Sequence, residues 1–154
     1  MDEVFAYWQL GALHQIESED SISALLHYRS GATGVIQAST SLWPGAPERL
    51  EIHGMKGTAI IIGDKLTMWD VQDDSGCAAP IARQGVSGAS DPMAISLAPF
   101  ERQFLDFGEA CKTGRAPSCS ATDGFRALQL VRSIYSSCLE KRKLEIASVA
   151  FRSD

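Results

Sequence analysis

The sequence predicts an α+β fold: an open, mainly antiparallel β-sheet with helices packed on one face. Three observations carry this. Strand-like segments succeed one another over the first 70 residues with no helical pattern between them, so their connections are hairpins and the sheet is mainly antiparallel. Two helical stripes follow from Pro99 onward. The strands thus come first and the helices after, which is the order of a layered α+β domain.

Residues 4–14 (VFAYWQLGALH) are apolar and aromatic with no helical stripe. Residues 21–29 alternate: Ile22, Ala24, Leu26 and Tyr28 face one way, Ser21, Ser23 and His27 the other, the period-two signature of a half-buried strand. After the Ser30-Gly31 turn, residues 32–42 alternate again, with Ile36, Ala38, Thr40 and Leu42 opposite Gln37, Ser39 and Ser41. The run Trp43-Pro44-Gly45-Ala46-Pro47 is a loop, because two prolines cannot continue a ladder. Strands resume over 49–53, 58–62 and 66–69, separated by Gly54-Met55-Lys56-Gly57 and Gly63-Asp64. Residues 71–95 keep no period and form a loop longer than the usual ~12–15 residues, hence functional or mobile.

Pro99 suits the first position of a helix. Phe100, Phe104, Phe107 and Cys111 make its stripe, and Gly114 and Pro117 end it. A second helix starts near Thr122-Asp123, carries Phe125, Leu128, Val131, Tyr135 and Cys138, and ends at Lys141, Arg142 and Lys143, where cations favour the dipole. Residues 144–147 return as a short strand. Two helices of about 15–18 residues span roughly 25 Å and cannot cover both faces of the sheet. The other face holds Ser, Gln, His, Thr and an aromatic such as Tyr7 or Trp8, and this mixed patch points to burial against another copy of the chain. A solvated face is the alternative.

Composition bounds the function. The 154 residues fit one domain. With 14 Lys and Arg against 19 Asp and Glu, the net charge is −5, which argues against nucleic acid as a partner. No apolar run approaches the ~20 residues of a membrane span, and Asp2 and Glu3 do not begin a secretory signal. Cys77, Cys111, Cys119 and Cys138 include no CxxC pair. Cys111 and Cys138 read as buried thiols in a reducing, cytoplasmic setting, and a Cys111–Cys119 disulfide stays open.

Motifs that carry chemistry are scarce. There is no GxGxxG, no P-loop and no GxSxG elbow, so neither cofactor-binding nor catalytic residues are assigned. The GxxG at 54–57 lies between strands and reads as a hairpin turn, not a nucleic-acid clamp. The 85–88 repeat of that pattern also lacks helical context. His14, His27 and His53 all fall at strand positions. Three imidazoles converging from strands would make a metal site, but without an HxH or HxxxH pair no metal ligand is assigned. Cys77 sits near no evident base and reads as an incidental thiol; Asp73-Asp74 offers two acids to a cation but reads as a solvated loop pair.

Several runs together resemble one family: IESEDS at 16–21, SGATGVIQAS at 30–39, PGAPERLEIHGMKGT at 44–58, then residues 100–114, Asp123-Gly124 and Leu144-Glu145-Ile146. Over roughly residues 16–147 the chain resembles the C-terminal domain of the glucose–fructose oxidoreductase, inositol dehydrogenase and rhizopine-catabolism (Gfo/Idh/MocA) family. The resemblance implies the substrate-side and oligomerisation half of an NAD(P)-dependent sugar or polyol dehydrogenase. In that family an N-terminal Rossmann domain holds NAD or NADP, and the open sheet pairs subunits. The family's Glu-Lys-Pro lysine and its helix-borne histidine have no counterpart in this sequence. The expectation is therefore a single domain over 1–154 without the Rossmann half, with no cofactor of its own and inactive alone. The loop matching residues 42–47 approaches substrate in the family. Trp43 is its candidate contact, since an indole stacks on a sugar-like ring. Its alternative role is a loop anchor. A stand-alone carbohydrate- or protein-binding module and a ligand-free structural remnant remain the competing readings.

Overall fold

The computed structural model describes residues 1–11, 14–63, 65–72 and 97–146. Its elements run β1 (Glu3–Gln9), β2 (Ser21–His27), β3 (Thr33–Ser39), β4 (Arg49–Gly54), β5 (Gly57–Ile62), β6 (Lys65–Val71), α1 (Ala98–Thr113), α2 (Ala121–Glu140) and β7 (Leu144–Glu145). The α+β class and the antiparallel, unclosed sheets are as the sequence predicts. The strands divide between two sheets, ordered β3-β2-β1-β7 and β4-β5-β6. These fall in two compact units, one of residues 1–41 with 105–154 and the other of residues 42–104.

In the first unit, β1, β2 and β3 pair antiparallel in continuous register: Phe5 opposite Leu25, and Leu25 opposite Val35. The alternation read from residues 21–29 places Ala24 and Leu26 in the core with Val4 and Ala6, against Ile134 and Cys138 of α2 and Leu144 and Ile146 at the chain's return. Burying a side chain such as Ile134 contributes about 1.5–3 kcal/mol.

The α2 stripe is rotated from the expected one. Phe125, Leu128 and Val131 are largely exposed, while Ser133, Ile134, Ser137 and Cys138 face the sheet. Two serines at that face explain the difference, because an apolar period does not count a hydroxyl as interior. Ser137 is fully buried and works on the backbone. β7 is only two residues long, pairing Leu144 with Val4 and Glu145 with Glu3. The same register carried on would bring Arg142 opposite Ala6. Instead the Ala6 N–H donates to Ser137 Oγ at 3.1 Å, and the Ser137 O–H donates to the Arg142 carbonyl at 2.7 Å. One hydroxyl thus bridges the gap that a longer ladder would have closed.

The helix begins slightly earlier than Thr122-Asp123. Ser120 is the N-cap and forms a capping box with Asp123. It ends at Glu140, with Lys141 in the left-handed region at φ 53° as its C-cap, so Arg142 and Lys143 lie beyond its last turn. Asp106 of α1 ties the α1–α2 connection: its carboxylate accepts from the Ser118 N–H at 2.7 Å, the Ser118 hydroxyl at 2.9 Å and Arg115 at 2.6 Å. The Ser118 N–H first, then Arg115, holds that carboxyl below its usual range.

The expected α1 stripe is not buried. Phe100, Phe104 and Phe107 are all exposed, and Cys111 is an exposed thiol, not an interior one. Ala110 is the residue α1 buries. Cys111, Cys119 and Cys138 are free, so the Cys111–Cys119 disulfide does not form. Burial raises the Cys138 thiol above its ordinary value.

In the second unit, Gly54 and Gly57 pair across the β4–β5 turn, so the GxxG is a hairpin. Gly57 also permits a close approach by β6: a Cβ there would stand 2.4 Å from the Asp70 carbonyl oxygen and 2.7 Å from Val71 Cα. Cys77, Asp73-Asp74, the glycines at 85–88 and nearly all of the expected 71–95 loop lie outside the described residues.

Candidate functional site

α2 covers one face of the four-stranded sheet. The other face, built from the alternate residues of β1, β2 and β3, is organised in rows by the register. Phe5, Leu25 and Val35 form an apolar row across three strands. Leu25 is 58% exposed and Val35 72%, so this row is uncovered. Beside it lie Tyr7, Ser23 and Gln37, with Tyr7 edge-on to Phe5 at a centroid distance of 5.0 Å. On the other side lie Glu3, His27 and Thr33. There Lys143 Nζ is 2.6 Å from Glu3 Oε1, and His27 Nδ1 is 3.6 Å from Glu3 Oε2. An open depression of about 450 Å³ runs over Phe5, Leu25, His27, Val35 and Lys143. At the far end the hydroxyls of Ser21, Ser39 and Ser41 bond one another at 2.8–3.3 Å. The face is therefore an apolar band between an ionic edge and a hydroxyl edge. Of the two aromatics expected on it, Tyr7 is there. Trp8 lies on the helix side, edge-on to Tyr135 at 5.5 Å.

The second unit holds Trp43. The Trp43–Pro44 peptide is cis, and Gly45 sits at φ 85°, a left-handed conformation that favours glycine. Trp43 is 94% exposed, so it does not anchor the loop. On β4, Glu51 accepts from Arg49 and from His53 Nε2 at 3.0 Å, while His53 Nδ1 lies 3.2 Å from Thr58 Oγ1. Arg49 first, then His53, holds the Glu51 carboxyl below its usual range. The contacts tie Arg49, Glu51, His53 and Thr58 into one exposed network on the β4–β5 hairpin.

His14 and His27 lie at opposite ends of the first unit's sheet. His27 sits at the Glu3 end of the sheet, opposite the end where Gln9 meets Ser21. His14 is in the connection beyond Gln9 and not on a strand, with Nδ1 3.5 Å from the buried Asp20 Oδ2, which also accepts from the Gly11 N–H at 2.9 Å. His53 belongs to the other unit. Among the described residues no group of three or more His, Cys, Asp or Glu is placed to hold a metal ion. Sequence reasoning missed Asp20, Ser133 and Ser137, the buried polar residues of the first unit. The one signal that could have found any of them is the 21–29 alternation, which, extended back by one residue, puts Asp20 on the side of Ile22 and Ala24.

Comparison with known proteins finds consistent similarities. Residues 1–60, which span β1 to β4 and most of β5, match the family model described as the GFO/IDH/MocA C-terminal domain. Over those residues the chain is similar to that domain family. The likeness extends beyond them. The chain is 26% identical over 128 residues to the inositol 2-dehydrogenase of Rhizobium meliloti, covering 83% of this chain and 37% of that protein. It is 27% identical over 134 residues to the myo-inositol 2-dehydrogenase of Thermotoga maritima, covering 84% and 37%. The chain thus spans little more than a third of these relatives. Among solved structures it resembles a probable dehydrogenase from Thermotoga maritima, at a TM-score of 0.72 and 25% identity over 97% of this chain and 44% of that one. The fold also recurs in the WlbA dehydrogenase of Bordetella pertussis, solved with NADH and UDP-GlcNAcA, at a TM-score of 0.70 and 22% identity over 94% and 38%. The relatives named here are dehydrogenases, and the part of this chain that matches the family model, residues 1–60, is similar to a C-terminal domain. Among the described residues no helix is long and apolar enough to cross a membrane.

Proposed function

We propose that this domain is the substrate-side and oligomerisation part of an NAD(P)-dependent sugar or polyol dehydrogenase, and that its open face pairs with a second copy of the chain. The observation that carries the pairing is the uncovered Phe5–Leu25–Val35 row, set on a sheet whose other face α2 already buries. A second copy suits it because the band lies between one ionic edge, where Glu3 and Lys143 already pair, and a hydroxyl edge, so a two-fold axis through the band sets each ionic edge over the partner's hydroxyls. A like face rotated by a two-fold axis can therefore meet it without stacking one sign upon itself. Sedimentation of the chain with Leu25→Lys beside the unsubstituted protein tests this. The substitution is expected to leave the helix-side core intact and to abolish association; association that persists contradicts the pairing.

Trp43 supplies part of the substrate wall in this proposal. Its exposed indole offers a ring face and one N–H donor to a polyol. A saturable change in indole emission on adding myo-inositol, lost in Trp43→Ala, is the expected result. No change at millimolar polyol counts against the assignment. The hydride step requires the nicotinamide held about 3–3.5 Å from the reacting carbon. No residue of this chain is assigned to hold it, and the chain alone is expected neither to bind nor to oxidise NADH. Micromolar NADH binding by calorimetry would overturn that part. Its thiols, free at all three described cysteines, suit a reducing cytoplasm.

The exposed Trp43 also suits a second reading, a carbohydrate- or protein-binding module without catalysis. The reading frame upstream of Met1 separates the two. A frame running into Rossmann sequence supports the dehydrogenase, and an independent start supports the module.

A further inference from the structure

We draw no further inference here: the strongest candidate, the exposed apolar stripe of α1 formed by Phe100, Phe104 and Phe107, is an unpartnered helix face, and nothing in the structure shows what covers it.

Discussion

Ser137 shows how much one hydroxyl can do where a strand stops short. Removing it leaves the Ala6 N–H and the Arg142 carbonyl without their partner inside the α2–sheet contact. Ser137→Ala is therefore expected to cost about 1–3 kcal/mol, the penalty of stranding a buried polar group. Ser133→Ala loses only a bond back to the Gln129 carbonyl and should cost less. Urea denaturation of the two variants reads the difference, and equal losses would contradict the bridging role. Tyr135 makes the other telling contact, donating to Glu19. Hydrogen bonds from Ser18 and then Tyr135 hold the Glu19 carboxyl below 4.5, and the same bond to Glu19, then burial, lifts the Tyr135 hydroxyl above 10.0. A depressed carboxyl binds fewer protons folded than unfolded, so its contribution is present above 4.5 and lost as the pH falls through the folded value. A raised phenol contributes below 10.0 and is lost as the pH rises through its folded value. Tyr135→Phe should remove the alkaline limb of the stability–pH curve and make the acid limb shallower, the Ser18 share remaining, and an unchanged curve would contradict the coupling. Neither Ser137 nor Tyr135 is marked in the sequence as anything but a helix residue, because their partners are backbone and side-chain atoms more than a hundred residues away for Ala6 and Glu19.

Elements were more legible than their faces. Alternation assigned β2 and β3 to the correct sides, since strand period two leaves little freedom once Ala24 and Leu26 are interior. The proline-rich break at 43–47 and the two-residue turn at 55–56 were also legible, as local chain chemistry decides both. The helices misled on orientation. In α2 the interior face includes two serines, and in α1 the phenylalanines lie exposed, so an apolar period marks a helix without saying what it meets. The start of α2 rests on the Ser120 cap, where Ser120→Ala should cost about 1 kcal/mol. The check is the thermal midpoint, with Ser120→Asp expected to restore most of the loss; a midpoint unmoved by the alanine would contradict the cap.

At the scale of the whole molecule, the open face follows from arithmetic available in the sequence: one helix layer covers one side of a sheet and leaves the other exposed. What the sequence could not supply was the register, which turns scattered Phe5, Leu25 and Val35 into one band. The same register separates His14 from His27. Residues 1–60 carry the family match, and they include all three strands that build this band. The most direct measurement is analytical ultracentrifugation of the unsubstituted chain from low to high micromolar concentration. The account predicts a dimer or larger assembly that dissociates on dilution; a monodisperse monomer throughout that range would contradict it.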